Sequence, residues 1–146
     1  MAKYFDDHVI GEKMCHGVYP VTREEVLDFA CKFARPIETA DSAEEIRTSG
    51  CHTLSIFQRM QIDMGFANES AAAMLAAVGM DELRWLTPVF SGDILAAEFE
   101  VLDKIQSNSK PDRGILKVRC TLYNQTGAIA LTLISLIMMK RQPNDA

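Results

Sequence analysis

Apolar positions along this chain follow a helical period in its first half and a strand period in its second. An extended opening, Lys13 to Val21, leads into Thr22-Arg23-Glu24-Glu25, which reads as a capping box because each side chain can satisfy the other's free backbone N–H. Val26, Phe29, Ala30 and Phe33 recur at helical spacing, so the pattern predicts a helix with one buried face, stopped by Pro36. A second helix runs from Gly50 to Gly65, with His52, Leu54, Ile56, Phe57, Met60, Ile62 and Met64 on more than one side, the mark of a core helix. It starts in the small and polar run Thr48-Ser49-Gly50-Cys51, where the free N–H groups of a first helical turn can face a ligand oxygen.

The alanine-rich Ser70 to Val78 reads as a further short helix. Four strands are then expected over Asp81–Val89, Asp93–Lys104, Gly114–Gln125 and Ala128–Lys140, divided by Ser91-Gly92, Lys110-Pro111-Asp112-Arg113-Gly114 and Thr126-Gly127. In the third, Leu116, Val118, Cys120 and Leu122 alternate with a largely polar set that includes Lys117, Arg119 and Thr121, so one face is buried. The apolar run from Ala128 to Met139 suits a strand covered on both faces. An α+β fold follows, an antiparallel meander wrapped around the Gly50 helix.

At 146 residues the chain is expected to form one domain, 1–146, with a core that needs neither disulfides nor a metal. A net charge of -5 gives no broad basic footprint and argues against nucleic acid as a partner. No apolar run reaches the ~18 residues of a membrane span, and the opening lacks a signal-peptide pattern. Cys15, Cys31, Cys51 and Cys120 form no C-x-x-C pair, so a cytoplasmic protein with reduced thiols and no metal site is expected.

Several segments in combination resemble the MaoC-like branch of the hotdog fold, which includes the (R)-specific enoyl-CoA hydratases. They are Tyr4-Phe5-Asp6-Asp7, the V-T-x-E-E helix start, Ser49-Gly50-Cys51-His52-Thr53, Glu82-Leu83-Arg84-Trp85-Leu86-Thr87-Pro88-Val89, Ser91-Gly92-Asp93-Ile94-Leu95 and Lys110-Pro111-Asp112-Arg113-Gly114. The resemblance implies a homodimer or higher homo-oligomer joined through adjoining sheets. It also implies a CoA or acyl-carrier thioester as ligand, hydration or dehydration of an enoyl chain, and no further cofactor.

Active relatives carry an Asp and, five residues later, a His after the first helix. Aligned on Phe33 and Asp41, this chain has Ala34 and Thr39 at those places, and neither side chain can act as a base near neutral pH. Candidate replacements are Asp41, Glu38 and His52, weighed against a solvated acidic loop and a structural histidine. Adjacent helix positions diverge by about 100°, so Cys51 and His52 form no dyad. Ser49, Gly50 and Cys51 are candidates to hold the thioester carbonyl, Arg84 and Trp85 to wall the pocket, and Lys110 and Arg113 to meet the phosphates of a CoA handle. Two alternatives stay open: a thioesterase, which needs one base and an oxyanion site, and a noncatalytic subunit or ligand sensor that kept the fold.

Overall fold

The computed structural model describes residues 1–34 and 45–144. Strand β1 (Lys13–Pro20) is followed by helix α1 (Arg23–Phe33), helix α2 (Gly50–Ala67), and strands β2 (Met74–Trp85), β3 (Ile94–Gln106), β4 (Arg113–Tyr123) and β5 (Ile129–Lys140). The five strands form one antiparallel sheet in the order β1-β3-β4-β5-β2. Thus β3, β4 and β5 are the expected meander, while β1 and β2 join its two edges. The sheet wraps α2 as expected for an α+β hotdog domain.

Alternation along β4 buries Leu116, Val118, Cys120 and Leu122 on the helix side. The same side of β5 contributes Leu131, Leu133, Ile137 and Met139. Against these lie Ile56, Phe57, Met60 and Met64 of α2, with the Phe57 and Phe99 rings tilted at 6.2 Å. One polar pair interrupts this core: Gln61 Nε2 donates to Ser135 Oγ at 3.0 Å, which spares both groups an unmet hydrogen bond.

Three expectations are corrected. Ser70–Val78 is not a helix beyond one 3-10 turn at Ala71–Ala73; β2 begins at Met74 and ends at Trp85, so Leu86–Val89 lie outside it. Pairing of Ala76 with Met138 and Ala77 with Ile137 overrides the helical preference of alanine. Only one face of β5 is buried, since Ile134, Leu136 and Met138 on the other are half-covered. The capping box is half made. Thr22 Oγ1 accepts from the Glu25 N–H at 3.2 Å, but the Glu25 carboxylate bonds elsewhere.

Candidate functional site

The chain entering α2 is pinned to the loop beyond β2. The Thr48 N–H donates to the Val89 carbonyl at 2.8 Å, the Ile46 N–H donates to Ser91 Oγ at 2.9 Å, and Arg47 bridges Phe90. Ser49 Oγ then caps the helix by accepting from the His52 N–H at 3.1 Å. Trp85 lies across the first turn and donates from Nε1 to the Gly50 carbonyl at 2.9 Å. A Cβ on residue 50 would stand 2.9 Å from Trp85 Cε2, so the indole needs glycine beneath it. A cavity of about 290 Å³ opens there, lined by Arg47, Gly50, Trp85, Leu86 and Val89 among others. The N–H groups of Gly50 and Cys51 belong to the unpaired first turn, where the helix dipole also favours a partly negative oxygen.

His52 leaves the same turn on its other side and is buried, with 5% of its surface exposed. Its ring stacks on Phe29 of α1 at 4.7 Å and 7°, and its Nε2 lies 3.5 Å from Glu25 Oε1. The other Glu25 oxygen accepts from the Tyr19 hydroxyl at 2.7 Å. Tyr19, Glu25 and His52 therefore form a chain across β1, α1 and α2. Burial holds His52 below the ordinary imidazole pKa, against an opposing pull from Glu25. Burial first, and then the bond to Glu25, pushes the Tyr19 hydroxyl up to about 12. His52 Nδ1 is buried without a partner among the described residues.

The structure brings Ser49, Gly50, Cys51, His52 and Trp85 together and separates the rest. Cys51 is exposed while His52 is buried, so they diverge as expected. Arg84 leaves Trp85's neighbourhood for a shallow surface shared with Glu82, Arg119 and Thr132, and donates to the Leu83 carbonyl at 2.8 Å. Lys110 and Arg113 stand at the opposite end of the sheet: Arg113 pairs with Lys140 across β4 and β5, whereas Trp85 pairs with Leu131. At about 3.3 Å per residue, the run between those positions is roughly 30 Å. Arg113 there grips Asp112 at 2.9 and 3.1 Å, and that contact holds the Asp112 carboxyl below its usual range. Ala34 closes α1, donating its N–H to the Ala30 carbonyl. Glu38, Thr39 and Asp41 lie outside the described residues.

Glu25, Phe29 and Tyr19 were not among the residues singled out for chemistry. Glu25 and Phe29 are one helical turn apart, so a carboxylate shares the apolar stripe of α1. Its position in a capping box hid that signal.

Comparison with known proteins agrees with this architecture. The chain is similar over 149 aligned positions to mesaconyl-CoA hydratase of Cereibacter sphaeroides, at 30% identity over 99% of this chain and 43% of that protein. It thus spans less than half the length of that relative. A MaoC-like dehydratase from Rhodospirillum rubrum superposes with a TM-score of 0.83 at 26% identity, covering 97% of this chain and 99% of that one. A double-hotdog protein of Mycobacterium tuberculosis shares the fold, with a TM-score of 0.74 at 15% identity over 98% of this chain and 46% of that one. The family model described as MaoC like domain matches residues 42–122, more than half of the sequence, and the chain belongs to that family.

Proposed function

We propose that this chain binds an acyl-CoA or acyl-carrier thioester and hydrates or dehydrates its enoyl chain, with the thioester carbonyl at the Gly50 and Cys51 N–H groups. The observation that carries the reading is the cavity at the start of α2, where unpaired donors meet the apolar wall of Trp85, Leu86 and Val89. Such donors stabilise the enolate oxygen that forms as water adds, without a cofactor. Similarity to mesaconyl-CoA hydratase supports the reaction type, and Ala34 in place of the family Asp leaves the base to be found elsewhere.

The assembly we propose is a dimer with a second copy joined along the β2 edge, where Leu75, Val78 and Met80 are exposed. Antiparallel joining would bring the Lys110–Arg113 turn of the second copy toward Trp85, about three strand spacings or 15 Å away. That is half the separation within one copy and suits a CoA handle. Four free thiols among the described residues support a cytoplasmic setting; no helix there is long and apolar enough to cross a membrane.

Purified protein is incubated with trans-2-enoyl-CoA thioesters while enoyl absorbance and free thiol are followed together. Loss of absorbance without thiol is the expected result. Thiol release would move the assignment to a thioesterase. Silence in both channels, with the ligand still raising the melting temperature, would leave a noncatalytic binding subunit.

A further inference from the structure

The chain Tyr19–Glu25–His52 fixes one imidazole nitrogen and leaves the other without a partner. Glu25 Oε1 faces Nε2 at 3.5 Å, so the neutral ring carries its proton on Nε2 and presents a lone pair at Nδ1. The parallel stack on Phe29 sets the ring plane, and the Tyr19 hydroxyl at 2.7 Å restrains the carboxylate. The lone pair on buried Nδ1 belongs to the first turn of α2, the same turn that offers the Gly50 and Cys51 N–H groups. A buried base needs a hydrogen-bond partner. Neither Tyr19 nor Glu25 supplies one to Nδ1, and a water positioned for attack would.

We propose that His52 is the acid–base residue that replaces the missing Asp and His of this chain, and that Glu25, held by Tyr19, is its positioning residue. The inference rests on the hydratase reading above. In the step, Nδ1 takes a proton from water as the water oxygen bonds to C3 of the enoyl thioester, the C2=C3 electrons shift toward C2, and the carbonyl becomes an enolate held by the helix start. The imidazolium returns that proton to C2, so one water is added across the double bond and His52 ends neutral. Glu25 stabilises the imidazolium between these steps without taking its proton. Besides Glu25 and Tyr19, Arg59 of α2 acts on this group through its field at Tyr19.

The test compares the wild-type chain with His52→Gln, Glu25→Gln and Tyr19→Phe, using Glu38→Gln and Asp41→Asn as controls, in enoyl-CoA hydration across pH 5 to 9. Melting temperatures confirm that each variant is folded. His52→Gln is expected to lose about 100-fold or more in kcat. Glu25→Gln should lose about 10-fold with little change in KM, and its acid limb should move to lower pH because the imidazolium has lost its carboxylate. A merely structural Glu25 would leave that limb in place.

Independently of turnover, ¹⁵N resonances of the imidazole should report the Nε2–H tautomer in the wild type and a lower His52 pKa in Glu25→Gln. Three histidines are present, and His52→Gln assigns the signal. Hydration by the wild type with His52→Gln undiminished would overturn the inference and leave the hydratase reading standing. Loss of activity in Asp41→Asn or Glu38→Gln instead would move the base to those residues. A wild type that hydrates nothing would overturn both readings, and an unmoved ¹⁵N titration would remove Glu25 from its role.

Discussion

Gly50 and His52 show how much chemistry one helical turn can carry on two sides. At Gly50, a methyl group would meet the Trp85 ring at 2.9 Å, but Trp85 is half exposed and can swing outward. Gly50→Ala should therefore cost toward the lower end of about 1–3 kcal/mol in denaturant unfolding. Its larger effect should be on ligand, because the displaced indole is a cavity wall: the melting-temperature rise given by enoyl-CoA should shrink or vanish. His52 belongs with His8, a second buried imidazole, which burial holds below its ordinary pKa of 6.5 against the bond to Glu12. For both, the unfolded chain binds more protons between pH 6.5 and the lowered folded values. The stability that their neutral forms contribute is complete above that range and falls as the pH drops through it. Thermal melts from pH 7.5 to 5.5 should show this decline, and the double variant His8→Gln/His52→Gln should flatten it. A slope left intact would assign the decline to other groups. At this scale the sequence named Ser49, Gly50, His52 and Trp85 but missed Glu25. A carboxylate in a T-x-x-E pattern has a local explanation, and only the approach of α2 and β1 gives it a second one.

At the scale of elements, legibility followed whether a segment's own pattern or its partner decided its form. Strands β3, β4 and β5 carry turn signals at both ends and a period of two, and each lies within a few residues of its expectation. The start of β2 has neither signal. Ala76, Ala77 and Gly79 say little locally, and three shifts of register against β5 break the alternation that would have marked a strand. Helix α2 was legible because its ends are chemically marked, by Ser49 before it and by the Asn68 cap after it. Ser49→Ala removes the bond to the His52 N–H and should lower stability by about 1 kcal/mol. Since that bond also shapes the turn that holds Gly50 and His52, kcat for hydration should fall together with the unfolding midpoint, whereas Thr22→Ala at the start of α1 should cost similar stability with a smaller effect on rate.

For the whole molecule, the decisive fact is that the cavity and the Lys110–Arg113 turn lie at opposite ends of one sheet. The sequence held both motifs but no information on their separation, because the distance depends on which strand lies beside which. If a second copy joins along β2, the two ends exchange and the separation is halved. Val78, near the middle of β2 and 47% exposed, is the place to test this. Val78→Glu adds a charge beside Asp81 and Glu82 on the same strand and repeats it on the facing copy, so light scattering should show the mass fall from twice 16.3 kDa to a single chain. The chemistry distinguishes this from simple damage. A CoA thioester needs the cations of the second copy, whereas the same acyl group on N-acetylcysteamine has no phosphates to place. Affinity should therefore drop for the CoA thioester in the monomeric variant and hold for the truncated one, and Arg113→Gln in the dimer should reproduce the first effect without the change of mass. Equal loss on both ligands would mean that the β2 edge supports the cavity itself and that the handle is held within one copy.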